Sequence, residues 1–222
     1  MINKLFRDKK KRYRNLILVL LPLILLIGIF GYLSADSIMS LIGGITGNSN
    51  MAIGSIDSMD YHLIKGATDL QKDLFRDLDK AVKNEDDKEI AALVVENFVA
   101  DFYTWTNKAG QYDVGGMYYV YSPQKNIIYN QARNQFYKYV SKYIEEYGQE
   151  NVLEVATVEA VCGDEIKEYT IDGKTYQSYY VECNWTYVDN ENFTEREYRT
   201  KEYFKVIKND VGRFEIVQAY GD

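Results

Sequence analysis

Two cysteines and one histidine stand among 222 residues that also carry 33 acidic side chains, and each residue type suggests its own chemistry. His62 alone cannot build a zinc site, and no His-x-x-x-His or Cys-x-x-Cys spacing supports it. A Ser-His-Asp arrangement would need His62, which borders a Gly/Ser-rich stretch, to reach a serine in a domain it barely joins. No Gly-x-Ser-x-Gly elbow is present either. The "DVGG" run at 113–116 has two glycines but lacks the lysine and following helix of a phosphate-cradling loop, so it reads as a turn. Asp73, Asp77 and Asp79 fall on the polar side of a helical pattern. "DNENFTE" (Asp189, Glu191, Glu195) resembles part of a calcium loop without its turn glycine. No catalytic residue, metal ligand or cofactor site is assigned on these signals, and no enzymatic activity is expected.

The sharpest pairing is Cys162 with Cys183. "IDGK" at 171–174 carries the Asp-Gly signal of a two-residue hairpin. With Ile171 facing Lys174, an unbroken register sets Cys162 opposite Cys183, Ala160 opposite Trp185 and Val158 opposite Tyr187. Cys162 then falls on a non-hydrogen-bonded pair, where side chains approach closest. Outside the cytoplasm such a pair forms a disulfide. Two reduced core cysteines are the alternative, and a bulge at Gly163-Asp164 is what would spoil the register.

The compartment follows from the amino terminus. Residues 1–14 contain seven Lys/Arg against one Asp8, and no further Lys or Arg appears before Lys65. From Asn15 to Ala35 no side chain is charged, and Leu16–Leu33 alone spans about 27 Å as a helix. A cleaved signal peptide usually has a shorter apolar run and small residues at its cleavage site. Here "YLSAD" places Leu33 where a small residue is wanted, which favours a retained anchor. The charge bias keeps residues 1–14 in the cytoplasm and sends the rest across a cell membrane. Beyond residue 33 the chain keeps 19 basic and 32 acidic residues, a charge of −13. Such a surface repels phosphate backbones and argues against direct nucleic-acid binding.

Residues 36–59 read as a flexible spacer rich in Gly and Ser. Residues 60–85 read as an amphipathic helix with Leu63, Ala67, Leu70, Leu74, Leu78 and Ala81 on one face. An extracytoplasmic α+β domain should fill 86–222. Its next helix carries a stripe of Ile90, Val94, Phe98, Phe102 and Trp105, followed by a loop with a short strand at Met117–Tyr121. A further helix opens at Pro123, points Ile128, Ala132, Phe136, Val140, Tyr143 and Tyr147 inward, and stops at Gly148. From Asn151 the period changes to two, and about four antiparallel strands form a meander turning at "IDGK", "DNEN" and "NDVG". Helices therefore cover one face of a curved antiparallel sheet. Tyr179, Val181, Cys183, Trp185 and Tyr187 share that face. Tyr179, Trp185 and Tyr187, with Trp105, either line a cavity there or fill a core.

An anchor with its amino terminus inside, followed by helices on an antiparallel meander, resembles the nuclear transport factor two-like (cystatin-like) fold. The resemblance covers about residues 87–220 and is closest to the membrane-tethered scaffold subunits of type IV secretion and conjugation systems. It is one of architecture, and the Asn-Pro-x-Gly turn of some of those scaffolds is absent. The resemblance implies a non-enzymatic docking domain for other envelope subunits, with weak self-association of anchored copies. It also implies a second class, a cone-shaped ligand pocket of a sensor or small-molecule enzyme.

Overall fold

Asp172 and Gly173 both take positive φ (52° and 75°), the two left-handed residues that a type I′ hairpin demands. The computed structural model describes residues 52–193 and 198–220. In chain order the elements are β1 (Ala52–Ile56), β2 (Tyr61–Ile64), α1 (Asp69–Asn84), α2 (Asp87–Phe102), α3 (Lys125–Asn134), α4 (Val140–Tyr147), β3 (Val155–Ile171), β4 (Lys174–Tyr187), β5 (Lys201–Lys208) and β6 (Phe214–Tyr220). The last four strands form one antiparallel sheet in sequence order, and β1–β2 is a separate hairpin. The architecture is thus α+β, helices preceding a four-stranded meander. The tail at 1–14, the anchor at 15–35 and the spacer up to residue 51 lie outside the described residues. Among those described, no helix is long and apolar enough to cross a membrane.

The first helix starts later than its apolar period suggests. Residues 60–68 are not helical, because Ile56, Tyr61 and Ile64 turn inward from a β-hairpin. That hairpin also takes up 52–59, the end of the expected spacer. Thr68 then starts α1 through a capping box with Gln71, which satisfies two otherwise orphaned backbone donors. Leu63 and Ala67 match the helical stripe by spacing alone; the cap decides the boundary. α2 starts at Asp86, whose carboxylate accepts from the N–H groups of Lys88 and Glu89. It is buried on most sides because it runs between α1 and the sheet.

The expected long helix from Pro123 to Gly148 is broken at 135–139. The break turns both Phe136 and Tyr137 toward the core. Fully buried Tyr137 donates its hydroxyl to the Phe102 carbonyl at 2.6 Å and accepts from Gly115 N–H at 3.1 Å. The strand expected at 117–121 reduces to a single parallel bridge, Val120 to Ile216.

The β3–β4 register overturns the cysteine pairing. From Ile171–Lys174 to Ile166–Tyr179 the register is the expected one. Three residues, Gly163 to Glu165, then oppose Tyr180 alone, and the pairing resumes two residues out of step. Cys162 now faces Val181, and Cys183 faces Ala160. A two-residue shift preserves the faces, so Cys162 and Cys183 remain on one side as diagonal neighbours. Diagonal positions lie about 7–8 Å apart, beyond the usual Cα separation of a disulfide, about 4.4–6.8 Å. Both cysteines are accordingly free thiols, Cys183 buried and Cys162 half-buried.

Candidate functional site

Of the two expectations for the four inner aromatic residues, lining a cavity or filling a core, the structure shows the second. Trp105 is 1 %, Tyr179 1 %, Trp185 3 % and Tyr187 7 % exposed. Trp105 is enclosed by Phe136 at 4.8 Å, Phe193 at 5.9 Å and Tyr143 and Tyr198 at 6.0 Å between ring centres. Trp185 stacks on Tyr103 at 4.8 Å. Tyr179 donates its hydroxyl to Asp87 at 3.0 Å, and Tyr187 to the Arg199 carbonyl at 3.0 Å. The inner face of the sheet is a filled aromatic core, and these four residues share no chamber.

Charged groups enter this core only in fixed sets. Asp101 lies on the last turn of α2, and Lys108 returns to it from the following loop with a fully buried side chain. The Lys108 ammonium reaches Asp101 Oδ1 at 2.6 Å and Asn107 Oδ1 at 2.7 Å. Asp101 Oδ2 accepts the Gly116 N–H at 2.6 Å. Both glycines of "DVGG" are required here. A Cβ on Gly115 would collide with the Asp101 carbonyl oxygen, and one on Gly116 (φ 77°) would lie 2.6 Å from Phe98. Glu202 accepts from the Tyr103 hydroxyl at 2.9 Å and pairs with Arg199. Burial, and then the Glu202 charge, push the Tyr103 hydroxyl far above its ordinary range. Glu215 accepts from Ser122 at 2.7 Å and Asn209 at 3.1 Å.

Glu96 is poised near neutrality. Its carboxylate accepts the Ala160 N–H of β3 at 2.8 Å. Burial, aided by the charges of Glu159 and Asp77, pushes it up to about 7 against that hydrogen bond. A folded value above the unfolded one means its stabilising contribution is fully present below about 4.5 and is lost as pH rises through about 7. At pH 8 the ionised side chain therefore costs about 3 kcal/mol. Glu96→Gln keeps an acceptor for Ala160 and removes the charge. Urea unfolding should show the variant more stable than the parent at pH 8 and nearly equal at pH 5. An equal difference at both values would contradict the assignment.

A cavity of about 400 Å³ opens between α3 and the 112–118 loop. Asp101, Val114 and Ile64 lie toward the core; Tyr112, Met117 and Tyr118 come from the loop side; Lys125, Asn126 and Tyr129 come from α3. Its walls are tied together. Tyr129 donates its hydroxyl to the Tyr112 carbonyl at 2.9 Å, and Gln111 Nε2 donates to the Arg133 carbonyl at 3.2 Å. The Arg133 guanidinium backs both Tyr112 and Tyr129, at 5.4 and 5.9 Å from the ring centres. Lys125 is half-buried over Tyr118, 5.7 Å from its ring centre. Burial, and then the nearby Arg213, lower its affinity for the proton.

His62 lies beside this region, its Nε2 3.0 Å from Asp60 and its ring 4.9 Å from that of Tyr118. It has a structural partner and no serine triad. Among the described residues no group of three or more His, Cys, Asp or Glu side chains could hold a metal ion. The Asp101–Lys108 pair escapes a reading by motif, because seven residues and a helix end separate its members. The one available signal was a lone Asp in the apolar run "VVENFVADF". Comparison with protein-family models, curated proteins and solved structures finds no match for the chain.

Proposed function

We propose that the chain is a membrane-tethered docking module with no chemistry of its own. Residues 1–14 are cytoplasmic, 15–35 span the membrane, and the α+β domain stands outside as an NTF2-like scaffold of a secretion or conjugation machine. One observation carries the non-enzymatic reading: each buried carboxylate among the described residues, Asp101, Asp113, Glu202 and Glu215, is held by a dedicated donor. A general acid or base needs a group within reach of a substrate. Glu96 titrates in the right range, but it lies against β3 and does not line the cavity.

The outer face of the sheet is where a partner would dock. Tyr180, Tyr203 and Tyr220 stack there, with ring centres 5.5 and 6.1 Å from Tyr180. Lys205 lies opposite Tyr180 in the β4–β5 register and sits 4.2 Å over the Tyr169 ring. Tyrosine is enriched at interface cores, and a lysine over an aromatic ring makes a favourable cation–π contact. On a chain that carries −13 beyond residue 33, this cationic, aromatic patch suits an envelope subunit that offers carboxylates. The test is photo-crosslinking from position 180 in intact membranes. An acidic envelope subunit should be trapped, and trapping should fail when Lys205 is replaced by Glu.

A further inference from the structure

The cavity between α3 and the 112–118 loop is separate from both the filled inner core and the outer tyrosine face. We propose that it is a binding site for a small aromatic carboxylate. Its volume of about 400 Å³ lies at the small end of roughly 300–1,000 Å³ for ligand pockets. Tyr112, Tyr118 and Tyr129 supply flat, polarisable walls suited to a ring. The Tyr129–Tyr112 and Gln111–Arg133 hydrogen bonds fix those walls before any ligand arrives, which lowers the ordering cost of binding.

Charge selects the other end of the ligand. Asp101 faces the cavity, but the buried Lys108 ammonium at 2.6 Å already offsets its charge. Lys125 then contributes a positive charge that Asp60 and Glu215 offset only from beyond ion-pair contact. Among the described residues no carboxylate forms an ion pair with its ammonium, which lies over the Tyr118 ring. A half-buried cation with no carboxylate in contact favours an anion that supplies one. A single ammonium matches one carboxylate, whereas a phosphate dianion calls for the several donors that such sites gather.

The probe is 4-hydroxyphenylacetate, observed by saturation-transfer NMR against the full-length protein in lipid nanodiscs, with empty nanodiscs as the blank. Binding should weaken by about tenfold or more in Lys125→Met, the equivalent of losing one modest charge contact. It should stay within about threefold of the parent in Lys125→Arg, which keeps the charge. The neutral 4-hydroxyphenylacetamide should bind at least about tenfold more weakly than the acid. Lys125 lies at the start of α3 and is only half-buried, so both variants should keep the parent's unfolding midpoint. No saturation transfer from the acid, or equal affinity for acid and amide, would overturn the proposal. Equal losses in the Met and Arg variants would do the same, by showing that the charge is not what binds. None of these outcomes depends on whether the outer face docks a partner.

Discussion

Lys108→Met should lower the stability of the domain by about 3–5 kcal/mol, the usual cost of removing one member of a buried ion pair. The lysine side chain is inaccessible to solvent, and its ammonium lies 2.6 Å from Asp101. Its loss leaves a carboxylate in the core with one backbone donor, Gly116 N–H, in place of two partners. Methionine fills much of the vacated volume, so the loss measures charge rather than a hole. Asp101→Asn with Lys108→Met removes both charges and should cost clearly less than the two single changes added together. A coupling of about 2 kcal/mol or more is expected for groups in direct contact. Urea unfolding of the three variants gives the coupling, and additive losses would show that the two residues do not hold each other.

Trp105→Ala should be comparably damaging, at about 3–5 kcal/mol for a large aromatic removed from a packed interior. The magnitude discriminates two roles for the same residue. A tryptophan lining an open chamber already touches space on one side, and truncating it costs little. Trp105 is instead 1 % exposed and ringed by Phe136, Tyr143, Phe193 and Tyr198. A loss below about 1 kcal/mol would mean that the inner face of the sheet is hollow after all, far under the range for core aromatics. The domain would then have to be read as a pocket.

How much of this was legible in the sequence depends on the range of the interaction. The Asp172-Gly173 turn is local chemistry, so the hairpin and its first six paired positions follow from two residues. The bulge at Gly163–Glu165 is not local. Gly163 does not demand it, since a Cβ there would make only ordinary contact with the Tyr180 carbonyl, and Lys88, reaching Asp164 at 2.9 Å from the start of α2, belongs to a distant segment. The cysteine pairing failed at that step. The helical period of α3 and α4 was read correctly as a list of inward positions, since Ile128, Ala132, Phe136, Val140, Tyr143 and Tyr147 all pack on the core. It was misread as one rod, because Tyr137 takes its partners from Phe102 and Gly115, residues that spacing cannot bring near. The cavity beside α3 was invisible for the same reason: its walls come from four separate stretches of chain. Trp105, Tyr179, Trp185 and Tyr187, expected on the sheet's inner face, do lie inside the domain, but inward-facing aromatics signal burial, and burial alone does not distinguish a chamber from a core.

The docking reading stands or falls on contacts made in the membrane. A benzophenone-bearing residue placed at position 180 of the full-length chain, and separately at position 77 on the exposed face of α1, should be photo-activated in intact cells. The account predicts one discrete adduct from position 180, identified by mass spectrometry as an acidic envelope subunit. It predicts none from position 77, and loss of the adduct with Lys205→Glu. Cells that yield no adduct from position 180 despite full-length protein in the membrane would contradict it, as would an adduct that survives Lys205→Glu unchanged.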